Sequence, residues 1–146
     1  MDQEKRMLPP RLEEIVEDFQ FLQGREKLEY LLELAAQLPP LPEWLEDERE
    51  QMDQVHECMT PVFVFADKQE DDGLQYYFDV PPESPTVRGY AEILRQGTAG
   101  VQPEEVQAIP DTFYHRMGLQ SVLSGRRLAG ISAILHHMKR LAGDVA

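Results

Sequence analysis

Apolar residues recur at helical spacing near the start of the chain, over residues 11–23 and again from Arg25 to Leu38. Gly24 interrupts the pattern, and Pro39 ends the second segment. The spacing predicts two amphipathic helices that form a helical hairpin and turn their apolar stripes to a core. The stripe residues are Leu12, Ile15, Val16, Phe19 and Leu22 in the first helix and Leu28, Leu31, Leu32, Ala35 and Leu38 in the second.

The hydrophobic period changes to two residues from Asp53 onward. Alternating or β-branched and aromatic segments run from Gln54 to Glu57, from Val62 to Phe65 and from Leu74 to Val80. An Asp-Gly pair at Asp72 is typical of a hairpin turn. The pattern predicts a three-stranded antiparallel sheet, and a sheet this small needs helices packed on one face.

Helical spacing returns in the last part of the chain. Ser84 followed by a proline is typical of a helix start, with the serine as N-cap. The predicted helices run from Ser84 to near Gly97, from Gln102 to Ala108 and from Ser124 to Gly143, with a short turn from Thr112 to Met117. The order α-α-β-β-β-α-(short α)-α predicts an α+β fold, with residues 1–146 as a single domain.

Composition narrows the function classes. The chain has 146 residues, with 14 basic and 27 acidic side chains, a net charge of −13 and a pI near 4.6. Such a chain is poorly suited to bind nucleic acid or anionic membranes, because both kinds of binding depend on basic side chains. We find no apolar run of membrane-spanning length and no signal-peptide pattern. We therefore expect a cytoplasmic protein.

Residues 43–53 hold six carboxylates against one arginine. Two interpretations stay open for this segment. It is either a solvated connector or an acidic docking surface for a partner protein.

Metal and nucleotide sites are not indicated. A structural zinc or an iron–sulfur cluster needs about four Cys or His ligands, and this chain offers Cys58 and the scattered His56, His115, His136 and His137. The last two point apart by about 100° on a helix, so we interpret them as surface residues. Phosphate-loop, dinucleotide and nucleophile-elbow motifs are absent from the sequence. We predict no resident metal or cofactor.

The single cysteine is the remaining candidate for chemistry. Cys58 lies between two predicted strands, so it belongs to a turn, where reactive groups are commonly displayed. His56, two residues earlier, is a weak candidate base, and Glu57 would disfavour the thiolate if its carboxylate lay close. From the residues alone, a reactive thiol and a small packed hydrophobe both stay open.

Three segments, in order, resemble one family. Val55 to Phe63 is similar to the pattern V-x-G-C-x-S-x-V-W, and Pro85 to Tyr90 is similar to P-I-V-R-G-L. The pattern G-L-x-x-x-L-S-P-x-R-x-x-G is matched by Gly118-Leu119, Leu123-Ser124, Arg127 and Gly130. From about Leu12 to Leu141 the chain resembles the SufE family of sulfur acceptor proteins, which includes the CsdE branch.

The chain departs from the family pattern at four positions. Glu57 replaces a glycine, which leaves the loop conformation open because glycine permits φ > 0. Thr60 replaces serine, Phe63 replaces tryptophan and Gly125 replaces proline. These departures indicate a divergent member whose partner specificity differs from that of the best-known branch.

The resemblance implies a fold and a function. The fold is a three-stranded antiparallel sheet packed against helices. The function is to accept sulfur as a persulfide on Cys58 from a PLP-dependent cysteine desulfurase of SufS or CsdA type, to stimulate that enzyme, and to pass sulfur to an iron–sulfur scaffold complex. The protein would then be an accessory in sulfur transfer rather than a stand-alone enzyme, and the resemblance leaves a homodimer open.

The resemblance also suggests supporting residues. Family members shelter the cysteine in an apolar cavity, which Val55, Met59 and Phe63 would form here. Arg127 matches the family's arginine, whose charge would favour a thiolate. The full supporting set is Arg127, His56, Glu57 and Thr60.

Two rival functions remain at the level of sequence. The first is an acidic protein-interaction module with the same fold and no sulfur carriage. The second is a redox-sensing thiol that is oxidised to sulfenic acid. Replacement of Cys58 by serine distinguishes these two functions from sulfur carriage, because only sulfur carriage predicts a loss of sulfur acceptance with docking retained.

Overall fold

A computed structural model describes residues 8–146 of the chain. It contains a three-stranded sheet and two layers of helices, which confirms the predicted α+β class. The helices are α1 (Pro10–Gln20), α2 (Arg25–Ala35), α3 (Glu43–Glu46), α4 (Pro85–Thr98), α5 (Pro103–Gln107) and α6 (Gly125–Val145). The strands are β1 (Asp53–Val55), β2 (Val62–Lys68) and β3 (Leu74–Asp79), and short 3-10 turns cover Arg49–Gln51, Phe113–Met117 and Leu119–Ser121.

The sheet is an antiparallel meander in the order β1-β2-β3, as predicted. Val64 at the centre pairs with Asp53 on one side and with Phe78 on the other. Strand β1 ends at Val55, so the strand predicted to continue to Glu57 is two residues too long. His56 and Glu57 consequently belong to the loop between β1 and β2, residues 56–61, which is the cysteine loop.

Alternation along the strands gives the sheet one buried face. Side chains of Val62, Val64 and Ala66 on β2 alternate with half-buried residues, as do Leu74, Tyr76 and Phe78 on β3. This face packs against α6 and α4. On the other face, the Trp44 ring meets those of Phe65 and Tyr77 edge-on, at centroid distances of 5.9 and 5.5 Å.

The helical hairpin of α1 and α2 packs on α4. On α1 the predicted residues Leu12, Ile15, Val16 and Phe19 are buried, whereas Leu22 is half-buried and lies beyond the end of the helix. On α2, Leu31 and Ala35 are buried as predicted, but Leu34 is buried where Leu32 was expected, and Leu32 is 45% exposed. Helices α2 and α4 approach closely at Gly89, where a Cβ atom would lie 2.3 Å from the carbonyl oxygen of Leu31. Only a glycine permits this approach, because the obstructing atom belongs to the backbone.

The helix starts differ in how they are capped. The Ser124 side chain accepts a hydrogen bond from the Arg127 backbone N–H at 3.2 Å, so it is the predicted N-cap of α6. Ser84 occupies the cap position of α4 but makes no capping bond to that helix. Over residues 8–146, no helix combines the length and apolar character needed to cross a membrane.

Candidate functional site

Cys58 lies in the loop between β1 and β2, as predicted. Its backbone N–H donates to the carbonyl of Val55 at 3.3 Å, which closes a turn directly after the strand. Among the described residues other than glycine, only Asp72 has a positive φ, 69°. Glu57 therefore adopts an ordinary backbone conformation, and the loop does not need the glycine that the family pattern has there.

The cysteine rests against the long helix α6. Gly130 is the contact point: a Cβ atom at this position would lie 3.3 Å from the Cys58 sulfur and 3.6 Å from its Cα. The missing side chain lets the loop lie directly on the helix, which half-buries the thiol. One side of the sulfur is covered, and the other side faces a cleft.

This cleft has a volume of about 350 Å³. Its walls come from the cysteine loop and from the starts of α4 and α6. The lining residues are Cys58, Met59, Thr60, Ser84, Val87, Ser124, Arg126, Arg127 and Gly130. The site therefore combines a thiol, three hydroxyl groups and two guanidinium groups.

Two of the predicted supporting residues line this cleft with Cys58. The Thr60 and Ser84 hydroxyl oxygens lie 2.7 Å apart, a hydrogen bond that ties the cysteine loop to the start of α4. The Arg127 Nη1 atom donates to the Thr86 hydroxyl at 2.7 Å. This bond crosses from α6 to α4 and holds a positive charge at the rim of the cleft.

The other two supporting residues do not line the cleft. His56 is exposed in the loop after β1 and is not a lining residue of the cleft. Glu57 instead forms a hydrogen bond with His137: its Oε1 atom lies 2.9 Å from the Nε2 atom of that ring. The structure thus brings Cys58, Thr60 and Arg127 together and places His56 and Glu57 elsewhere.

The shelter around the thiol also differs from the expected one. Met59 lines the cleft but is 76% exposed, and its sulfur lies 3.6 Å from Arg126 Nη1. Val55 is buried in the core, and Phe63 lies on the outer face of the sheet beneath the Arg49 guanidinium. Apolar cover comes instead from Val87 and from the bare backbone of Gly130.

A polar network beside the loop was not predicted. His137, interpreted from sequence as a surface residue, is only 9% exposed, whereas His136 is exposed as expected. His137 Nδ1 lies 2.5 Å from Asp53 Oδ2, which also accepts from Arg140 Nη2 at 2.5 Å. The sequence signal was available: His137 is one residue from Met138 on the buried stripe and three from the buried Ile134.

These contacts shift the pKa values of the two carboxyl groups in the network. Burial raises the pKa of Asp53, but hydrogen bonds from His137 and Arg140 together outweigh it, so this pKa lies below its ordinary value. A backbone hydrogen bond, followed by the His137 side chain, lowers the pKa of Glu57. Both groups are carboxylates at neutral pH. Within residues 8–146, no cluster of three or more His, Cys, Asp or Glu side chains is arranged to hold a metal ion.

Fold and site together define a small α+β domain that presents one half-buried thiol in an arginine-rimmed cleft. Comparison with known proteins gives the family. Residues 13–142 match the family model SufE, described as an Fe-S metabolism associated domain. The chain belongs to the SufE family, and that membership places it in iron–sulfur metabolism.

Similar proteins extend over nearly the whole chain. An uncharacterised SufE-like protein of Mycobacterium tuberculosis is 40% identical over 133 residues, which cover 91% of this chain and 92% of its own. A SufE-like protein of Arabidopsis thaliana, described as chloroplastic/mitochondrial, is 32% identical over 92% of this chain and 35% of its own. The solution structure of a hypothetical protein from Thermus thermophilus superposes with a TM-score of 0.82 at 37% identity, covering 94% and 96% of the two chains.

Proposed function

We propose that this protein is a sulfur acceptor that carries a persulfide on Cys58. The donor is a PLP-dependent cysteine desulfurase, and the acceptor downstream is an iron–sulfur scaffold complex. The observation that carries the proposal is the position of the Cys58 thiol, held at the tip of a loop, backed by Gly130 and open to a cleft. Membership of the SufE family supports it.

The transfer step is a displacement at sulfur. The Cys58 thiolate attacks the terminal sulfur of the persulfide on the desulfurase cysteine. A new S–S bond forms at Cys58 while the donor's S–S bond breaks, and the donor cysteine leaves as a thiolate. No net oxidation or reduction occurs, and the PLP chemistry that generates the sulfur stays on the partner enzyme.

The cleft residues serve this step in distinct ways. The charge of Arg127, held at the cleft by Thr86, attracts the anionic persulfide of the donor. The bond between Thr60 and Ser84 fixes the loop relative to α4, so the thiol keeps its position at the cleft. Because this chain has one cysteine, a second thiol cannot resolve the persulfide internally into a disulfide. We further propose that the protein stimulates the desulfurase and works in the cytoplasm, where thiols are kept reduced.

The experiment is intact mass spectrometry after incubation with a SufS-type desulfurase, PLP and cysteine, without reductant. We expect a gain of one sulfur atom, about 32 Da, that dithiothreitol removes. The variant Cys58→Ser should show no gain. Cysteine turnover by the desulfurase should rise when the parent protein is added.

The controls separate carriage from docking. A known sulfur acceptor loaded by the same desulfurase shows that the donor is active, and a CsdA-type enzyme is tested in parallel. No gain with either donor, while the control acceptor is loaded, would overturn the proposal. If Cys58→Ser still stimulated the desulfurase as well as the parent did, stimulation would be assigned to docking and not to the thiol.

A further inference from the structure

The cysteine loop touches α6 at two points on one helix face. Cys58 lies on Gly130, and Glu57 reaches His137 with a distance of 2.9 Å between Oε1 and Nε2. Gly130 and His137 are seven residues apart, close to two full helical turns, so both face the same side. Two adjacent loop residues therefore lie along one stripe of the helix.

His137 is itself held from several directions. Its other ring nitrogen, Nδ1, lies 2.5 Å from Asp53 Oδ2 on β1 and 3.3 Å from Arg140 Nη2. The ring of His136 stands edge-on at 6.3 Å. Asp53 also keeps its own bond to Arg140. The ring is thus held by the sheet and the helix, while Glu57 is its more exposed partner, with 55% of its side chain accessible to solvent.

We propose that His137 is a positioning residue for Cys58: by binding Glu57, it holds the cysteine loop against Gly130 and limits access to the thiol. The Glu57 carboxylate and the Cys58 thiol belong to neighbouring residues of one short loop. Loss of the Glu57–His137 bond removes the tie between this end of the loop and α6, while the Thr60–Ser84 bond still ties the other end to α4. A partner that draws Cys58 out of its cleft must first break this bond.

The inference rests on the proposed function only in that Cys58 is the functional thiol. Its test needs no desulfurase, so the inference and the proposed function can fail separately. We would measure the rate at which iodoacetamide, a neutral reagent, alkylates Cys58 in the full chain, at one pH kept the same for every variant. The variants are Glu57→Ala, which removes the bond, and Glu57→Gln, which removes the charge but keeps an acceptor oxygen.

A matched control accounts for charge. Glu83 is exposed and adjacent in sequence to the cleft residue Ser84, so Glu83→Ala removes one nearby negative charge without touching the loop. We expect Glu57→Ala to react about three to ten times faster than Glu83→Ala, the range for a partly exposed charged hydrogen bond. Glu57→Gln should lie closer to the parent.

Other outcomes overturn the proposal. Equal rates for Glu57→Ala and Glu83→Ala would show that the bond does not limit access. Equal rates for Glu57→Ala and Glu57→Gln would assign the effect to charge alone.

The histidine itself is tested by a second pair of variants. His137→Ala should accelerate alkylation as Glu57→Ala does, and the double variant should add nothing further, because both remove the same bond. His136→Ala, on the adjacent exposed residue, should match the parent. Urea unfolding of each variant shows whether it is folded; if His137→Ala is not, the Glu57 series decides alone. Additive effects in a folded double variant would contradict the proposal.

Discussion

The sulfur of Cys58 packs against Gly130, where a Cβ atom would come within 3.3 Å of it. Such a contact is tighter than most carbon–sulfur contacts, so either the helix or the loop must yield to a side chain. The helix is 21 residues long and packed against the sheet, whereas the cysteine sits in a loop. The loop is therefore the part that moves.

Gly130→Ala should displace Cys58 and leave the fold intact. Alanine gains about 0.8–1.0 kcal/mol of helix propensity, which offsets the strain, so the free energy of unfolding should change by less than about 1 kcal/mol. We expect iodoacetamide to alkylate the displaced thiol up to about five times faster, the change that about 1 kcal/mol corresponds to. Gly125→Ala is the control, since a Cβ there meets no atom within 4 Å. Equal alkylation rates in the two variants would contradict this account.

Arg127→Ala should slow sulfur acceptance. The guanidinium is held at the cleft by Thr86 and acts on anionic sulfur through its charge. We expect the initial rate of persulfide formation to fall about threefold to tenfold, with a smaller difference at about 0.5 M salt than at 0.05 M, because screening shortens the range of the charge. Time-resolved intact mass spectrometry measures this rate.

The control for Arg127→Ala is Arg25→Ala. Arg25 is exposed at the start of α2 and is not a lining residue of the cleft. The Arg25→Ala substitution removes the same charge as Arg127→Ala does, but away from the cleft. An equal loss of rate in both variants would show that overall charge, and not the cleft, matters.

Hydrophobic periodicity predicted most of the fold. The β-branched and aromatic run at residues 62–65 predicted a strand, and β2 is that strand. Val62 and Val64 form its buried face, because side chains alternate across a strand. Periodicity predicted the buried face of α2 less exactly, because Leu32 is exposed and Leu34 is buried. Both positions are leucine, so the sequence does not determine which of them faces the core. The packing of α2 on α4 determines it.

The polar part of the site was harder to predict. Asp53 and His137 are 84 positions apart in the chain, and their contact depends on α6 crossing the edge of the sheet. Periodicity reports which face of an element is buried but not which distant polar group meets it. Motif spacing located Cys58, Thr60 and Arg127, since their segments are recognisable without knowledge of the packing.

Asp53→Asn should flatten the dependence of stability on pH in acid. The folded pKa of Asp53 lies below its ordinary value of 3.8, so the unfolded chain takes up its proton at a higher pH than the folded chain does. The stabilisation is therefore fully present above that value and is lost as pH falls through the lowered pKa. At neutral pH the variant should lose about 1 to 2 kcal/mol of unfolding free energy, since Arg140 and His137 lose a charged acceptor.

Urea unfolding at neutral pH and near about pH 3 measures this change, because the two values lie on either side of an ordinary aspartate pKa. The gap between parent and Asp53→Asn should narrow in acid. Asp47→Asn, at an exposed position in the acidic connector, should keep the parent's pH dependence. A gap of constant size at both pH values would contradict the role of the Asp53 charge.

Two buried tyrosines should respond oppositely to the loss of their hydroxyl groups. Tyr76 and Tyr90 are both fully buried, and burial raises the pKa of each. The Tyr76 hydroxyl donates to the Met138 carbonyl on α6 at 2.8 Å. The Tyr90 hydroxyl has no hydrogen-bond partner in the part of the chain that the structure describes.

Tyr76→Phe should cost about 0.5–1.5 kcal/mol of unfolding free energy, because the hydrogen bond from the Tyr76 hydroxyl to the Met138 carbonyl is lost. Tyr90→Phe should be neutral or stabilising by about 1 kcal/mol, since it removes a buried polar group that gains nothing from its surroundings. Urea unfolding compares the two variants, each the control for the other because the same atom is removed from the same kind of side chain. If Tyr90→Phe were destabilised as much as Tyr76→Phe, its hydroxyl would have to bind a buried water, and the core beside Phe113 would be polar rather than dry.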